Sequence, residues 1–241
     1  MKLTPDRVPM AVSSVIMRNY LKPERNRRTN MAVTGFPKSG TTWVSQLASS
    51  CLNLTYKRNT VPLRLSNTLI HTHSVAFQGR RNILYVTRDP REVICSAGRW
   101  IKGPWREKAF DSDGKLDHEF AALVLDDFPG ATVGYKEHLE TAIEKDWLFI
   151  RFEDLKSDAV GTLVKYFAHK GDPVPEAKIR EAVDAFDFAA MRSQAPDDKF
   201  LSQSSVASWK SKLRPETLEL VAAELGQTAR HFGYDLSAGE G

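Results

Sequence analysis

Along this chain, short uninterrupted apolar runs alternate with stretches in which apolar residues recur at helical spacing. Met31, Ala32 and Val33 form the first run and read as a buried strand over 31–35. Val44, Leu47 and Ala48 follow at helical spacing and predict a helix over 41–52. A second strand is expected at 69–72, and Asn82 to Thr87 (NILYVT) reads as a strand buried on both faces. Asp89-Pro90 opens a helix reaching about Ile101, with the proline in its first turn. Residues 117–145 carry two helical stretches broken by Pro129-Gly130, and Trp147 to Arg151 is a further buried strand. Helices are expected at 157–169, stopped by Gly171 and Pro173, at 175–192 and at about 215–231. A short helix at 5–21 and a polar connector at 22–30 precede the first strand. Residues 53–68 and 102–116 read as loops, the second a mobile one, and the Ser-rich run 193–208 as a loop closing over a site. Strands alternating with helices call for a parallel sheet covered on both faces, without internal repeats.

Composition narrows the picture. The 241 residues, 41% of them hydrophobic, suit one α/β domain spanning 1–241. No run approaches the ~20 apolar residues of a membrane span. The apolar patch Val8 to Met17 is short, is interrupted by Pro9, Ser13 and Ser14, and is followed by basic residues, so no signal peptide is expected. Cys51 and Cys95 each sit in an apolar helical pattern and are expected to be buried and reduced, which points to the cytoplasm. The net charge is +4, yet residues 1–30 hold seven Lys/Arg against two acids, so the excess is a local basic lead-in. Such an arm could meet phosphate or an anionic surface; a solvated segment is the better reading, and no nucleic-acid partner is expected.

The first strand and helix are joined by Gly35-Phe-Pro-Lys38-Ser39-Gly40-Thr41-Thr42-Trp43. A strand, a Gly-bounded turn and a helix start present backbone N–H groups and a positive helix end to an anion. The glycine separation matches the nucleotide-binding P-loop, GxxxxGK[ST], but Thr41 stands where that loop has its lysine, and the lysine present, Lys38, lies inside the turn. A magnesium-dependent phosphoryl-transfer site is therefore disfavoured. Four further stretches carry chemistry. Leu69 to His73 places His71 and His73 on one strand face; no Cys or carboxylate accompanies them at ligand spacing, so no metal is expected. Arg88 ends a strand and Ser96 lies two turns into the next helix, with Arg91 and Glu92 read as a solvated helix face. Glu153 and Asp154 follow the last strand and are read as structural, capping the next helix and bonding backbone. Phe200 to Lys210 forms the fourth.

Pro37 to Trp43 (PKSGTTW) resembles the 5′-phosphosulfate loop of the sulfotransferases that use 3′-phosphoadenylyl sulfate (PAPS). The resemblance covers roughly 31–235 and implies a P-loop-like three-layer α/β fold with a central parallel sheet flanked by helices. It implies that Lys38, Ser39, Gly40, Thr41 and Thr42 surround the 5′-phosphosulfate and that Trp43 stacks on adenine. His73 matches the histidine of the family's KTH motif, a general base on the acceptor hydroxyl; the preceding lysine is His71 here, which removes a fixed charge. Arg88 and Ser96 match the pair holding the 3′-phosphate. Ile150 to Lys156 resembles the YEDLK segment, with Phe152 replacing the tyrosine near adenine, and Phe188 is placed with it on the nucleotide side. Phe200, Trp209 and Lys210 keep register with the closing loop RKGxxGxW, but Ser202, Gln203 and Ser204 stand where Arg, Lys and Gly belong. That exchange implies looser nucleotide binding or compensation from Lys199. The dimer signature is not met, because Arg214-Pro215 occupy its Thr-Val positions, and the oligomeric state stays open.

The implied reaction is in-line sulfuryl transfer from PAPS to an alcohol, phenol or sugar hydroxyl of a small molecule, leaving adenosine 3′,5′-bisphosphate (PAP), with no metal. Trp100, Trp105 and Phe110 are candidates for the acceptor pocket or, equally, ordinary core residues. The rivals are a magnesium-dependent kinase or NTPase and a non-enzymatic nucleotide binder.

Overall fold

A computed structural model describes residues 30–56, 67–77, 82–187 and 208–237. Four strands, β1 (Asn30–Thr34), β2 (Thr68–Thr72), β3 (Ile83–Thr87) and β4 (Phe149–Arg151), form one sheet in the order β2-β1-β3-β4. All three pairings are parallel, with Val33 beside His71 and Leu84, and Val86 beside Ile150. Helices α1 (Thr41–Leu52), α5 (Phe152–Ser157), α6 (Ala159–Lys170) and α7 (Glu176–Ala185) cover one face. Helices α2 (Pro90–Trp100), α3 (His118–Asp127), α4 (Tyr135–Glu144) and α8 (Pro215–His231) cover the other.

The strand alternation decides which residue enters which layer. Met31, Val33, Leu84 and Val86 point to the α1 side, where they meet Leu47, Leu163 and Phe167. Ala32, Ile83 and Tyr85 point to the α4 side, where they meet Leu139, Leu225 and Phe232. Every residue of β3 is buried, which is why it reads as a continuous apolar run rather than an alternating one. The expected bounds hold to within one residue for α1, α2 and α8. Each has a local start signal: Gly40 ahead of Thr41, the Asp89 side chain accepting from Arg91 N–H ahead of Pro90, and Pro215 itself.

Three expectations change. The segment 152–157 is a short helix of its own, and α6 begins beyond it, capped by Asp158 accepting from Gly161 N–H. The helix expected over 175–192 ends at Ala185. Residues 102–116 carry structure inside the expected loop: a 3₁₀ turn spans Gly103–Trp105, Ala109 and Leu116 are buried, and Leu116 N–H bonds Lys212 O. The helix expected at 5–21, most of the loop at 53–68 and the closing loop at 193–207 lie outside the described residues.

Cys51 and Cys95 are buried and unbridged. Burial pushes their thiols up to about 11 and about 12, so neither is a thiolate at neutral pH. No described helix is long and apolar enough to cross a membrane. Gly226 sits inside α8 with open space where a Cβ would stand. Gly226→Ala is therefore expected to raise stability by about 1 kcal/mol. The readout is a higher urea midpoint at unchanged m-value, and a lower midpoint would contradict it.

Candidate active site

The turn after β1 lies over the carboxyl ends of the strands, where open α/β sheets bind ligands. A Cβ on Gly35 would collide with the Val86 carbonyl, and one on Gly40 with the Phe152 ring, so both glycines permit close packing of the turn. Gly40 (φ 93°) and Lys38 (φ 78°) are both left-handed. For lysine that conformation costs roughly 1 kcal/mol or more and persists only where the surroundings impose it. Arg88 supplies one constraint by donating to the Lys38 carbonyl at 3.2 Å. The Lys38 ammonium lies 6.0 Å from the Trp100 ring centre.

Ser39 is 1% exposed, and its hydroxyl has no hydrogen-bond partner among the described groups. A buried unpaired hydroxyl costs free energy. Set against the start of α1, which has no acid in its first turn, it suits an anion supplied from outside. Thr42 is half-exposed beside it, whereas Thr41 is buried and its hydroxyl lies 2.8 Å from His71 Nε2.

His71 is the penultimate residue of β2 and His73 lies one residue past its end, their rings edge to face at 5.0 Å. His73 Nδ1 is 2.8 Å from the Gly35 carbonyl. A carbonyl only accepts, so Nδ1 carries the proton and Nε2 the lone pair. Burial, and secondarily the Lys38 charge, lower the proton affinity of His73, while the Gly35 bond opposes them. The imidazole is thus neutral at pH 7, with Nε2 as its lone-pair nitrogen.

Behind it stands a residue that the sequence reading missed. His138, wholly buried on α4, donates from Nε2 to the His73 carbonyl at 3.2 Å. Its Nδ1 accepts from Tyr85 O–H at 2.9 Å. Burial pushes it down to about 3, with the nearby His73 contributing less. Phe36 stacks on Tyr135 at 4.4 Å and meets the His138 ring edge-on. His138 falls at helical spacing with buried Tyr135 and Ala142, so a polar residue on an apolar helix face was the available signal.

Arg88 directly follows β3 at 6% exposure, with its guanidinium 4.9 Å over Phe152 and 3.5 Å from the Glu92 carboxylate. Burial lowers its pKa and Glu92 opposes that. Ser96 is buried two turns along the same helix. Trp43 is nearly buried, donating from Nε1 to Phe186 O at 2.8 Å and meeting Phe152 edge-on.

The solvated face expected for Arg91 and Glu92 is wrong, since they are 7% and 2% exposed. Arg91 forms a forked pair with Asp89 and lies 3.9 Å over Trp209. Glu92 accepts from Ser208 and Trp209. Their partners from the carboxyl-terminal part of the chain cover them, which local charge patterning does not reveal. Glu153 is structural as read, but it caps a different helix start: it accepts from Asp89 N–H and from Tyr234 O–H. Trp100, Trp105 and Phe110 are partly buried against the core. Phe188, Lys199, Ser202, Gln203 and Ser204 lie outside the described residues. Among the described residues no group of three or more His, Cys, Asp or Glu gathers.

The fold and the site now meet comparison with known proteins. The chain matches the model of the sulfotransferase domain over residues 56–233, well over half its length. It belongs to the sulfotransferase family. The match begins downstream of the Gly35–Trp43 turn. Mouse sulfotransferase SULT7A1, solved with PAP, is 19% identical, with 89% of this chain and 91% of that one covered at a TM-score of 0.64. A retinol dehydratase solved with androsterone and inactive cofactor PAP is 14% identical, with 92% and 86% covered, also at 0.64. Both likenesses establish the P-loop-like fold. No curated protein sequence matches the chain.

The buried neutral His138 predicts acid sensitivity. Unfolded, a histidine titrates near ~6.5. Folded, His138 stays neutral down to about 3, so the unfolded state gains the proton first as pH falls. Its contribution is full above pH ~6.5 and declines below it. Urea unfolding should give lower stability at pH 5 than at pH 7. His138→Gln should flatten that difference, and an unchanged slope would contradict the assignment.

Proposed function

We propose that the chain transfers a sulfuryl group from PAPS to a hydroxyl of a small-molecule acceptor and releases PAP. The observation that carries this reading is His73, neutral and with Nε2 as the open nitrogen, beside the left-handed Lys38 turn. PAPS supplies an activated sulfuryl group on a phosphate leaving group. His73 Nε2 takes the acceptor proton, so that the hydroxyl oxygen bonds to sulfur as the sulfur–phosphate oxygen bond breaks. The Lys38 ammonium neutralises charge gathering on the departing phosphate oxygen. Ser39, Thr42 and the N–H groups of the α1 start surround the 5′-phosphate, with Gly40 allowing their approach.

Thr41 acts there through its hydroxyl, which His71 orients. Arg88 and Ser96 take the 3′-phosphate, where a guanidinium makes forked, charge-assisted bonds. Trp43 and Phe152 provide the aromatic wall for adenine. The proposed chemistry assigns no role to a metal, and the site works in the cytoplasm, where the two thiols stay reduced.

Lys38→Ala and His73→Ala should each lower turnover by ~10²-fold or more, the range for one electrostatic donor or one base, with the circular dichroism spectrum unchanged. Wild-type turnover in either variant would refute its role. Calorimetry separates this reading from the kinase: heat with PAP and none with Mg-ATP supports it, and the reverse overturns it. Activity that survives EDTA would further exclude a magnesium-dependent transfer.

A further inference from the structure

Glu92 has no part in the chemistry above, yet its carboxylate is buried and engaged by three groups. It sits in the first turn of α2, four residues after Arg88, and is 2% exposed. Its Oε1 accepts from the Trp209 backbone N–H at 3.2 Å. Its Oε2 accepts from the Ser208 hydroxyl at 2.8 Å and pairs with the Arg88 guanidinium at 3.5 Å. On its other side, Arg88 donates to the Lys38 carbonyl. One carboxylate therefore joins the Lys38 turn, through Arg88, to the Ser208–Ser211 turn more than a hundred residues on.

We propose that Glu92 is a positioning residue for nucleotide binding: it fixes the Arg88 guanidinium and moors Ser208 and Trp209 to the same helix end. This rests on the PAPS reading above. Arg88 is buried, and a buried cation without a partner shifts, hydrates or loses charge. Glu92 keeps it charged and aimed before any phosphate arrives, so less ordering is needed on binding.

The opposing effect is repulsion between Glu92 and an incoming phosphate. The pairing outweighs it, because each Glu92 oxygen is already committed to N–H or O–H donors. Glutamine cannot replace it. Glu92→Gln would turn an amide NH₂ toward either the Trp209 N–H or the Ser208–Arg88 pair, setting donor against donor.

The test compares wild type, Glu92→Gln, Glu92→Asp, Ser208→Ala, Arg88→Lys and the Arg88→Lys/Glu92→Gln double variant by PAP calorimetry and PAPS kinetics. Glu92→Gln should weaken PAP binding and raise the PAPS KM by about tenfold or more, with kcat changed less than threefold. Ser208→Ala, which removes one contact only, should weaken binding by a few-fold. Arg88→Lys should abolish most of the further effect of Glu92→Gln, because Glu92 acts through Arg88.

Equal PAP affinity in wild type and Glu92→Gln would overturn the proposal while leaving the nucleotide reading intact. So would fully additive losses in the double variant, or a fall confined to kcat. If Glu92→Gln does not fold, Glu92→Asp and Ser208→Ala carry the test, and wild-type affinity in both would overturn it. No PAP binding by wild type would overturn the nucleotide reading and this inference together.

Discussion

Two carbonyl oxygens of the Gly35–Gly40 turn organise this molecule. The Gly35 carbonyl accepts from His73, and the Lys38 carbonyl accepts from Arg88. One donor arrives from the end of β2 and the other from the end of β3, so the turn is clamped from both sides of β1. The clamp explains why a lysine tolerates a left-handed backbone there, while the close approach of the Val86 carbonyl explains why Gly35 must lack a Cβ. It also fixes the His73 imidazole and the Arg88 guanidinium relative to the same short loop. Geometry of this kind comes from packed secondary structure rather than from flexible side chains, which is what a preorganised charge site requires.

The irregular backbone after β2 has a matching constraint. Buried carbonyls must find donors, and the stretch following Thr72 receives them from three directions. His138 serves the His73 carbonyl, the Thr34 hydroxyl serves Ser74 at 2.8 Å, and Lys145 serves both Val75 and Phe77. The Lys145 ammonium is itself lowered in proton affinity by burial, a modest penalty for a cation bonded to two carbonyls. His73 is thus placed by the backbone beneath it as much as by its own ring. The aromatic cluster of Phe36, Tyr135 and Tyr85 closes the space around His138 and keeps water from competing.

What the sequence disclosed follows from how local each signal is. The α1 and α8 starts and the fully buried β3 each depend on residues adjacent in the chain, and all were legible. The P-loop-like order of strand, turn and helix was legible for the same reason. Arg91 and Glu92 were misread because adjacent opposite charges on a helix usually face water, and what covers them, Trp209 and Ser208, lies far along the chain. His138 was overlooked for the same cause: its meaning depends on Tyr85, fifty-three residues earlier. His71 lies within hydrogen-bond distance of the Thr41 hydroxyl, and nothing in its neighbours along the strand pointed to that partner.

The proton affinity of His73 is the quantity on which the proposed chemistry balances. A base protonated at pH 7 could not accept a proton, and one too weakly basic would not draw it from a hydroxyl. Burial and the Lys38 charge both lower its affinity, and the Gly35 carbonyl raises it. Burial does most to keep this imidazole unprotonated beforehand, and the same Lys38 that would stabilise a leaving phosphate adds a smaller push in that direction. Under the proposed reaction, charge developing on that phosphate would make the field at His73 less positive and raise its proton affinity as the acceptor proton needs a destination. In the proposed chemistry the order of events would be coupled through one ammonium group, with Lys38 in the turn and His73 bonded to that turn at the Gly35 carbonyl.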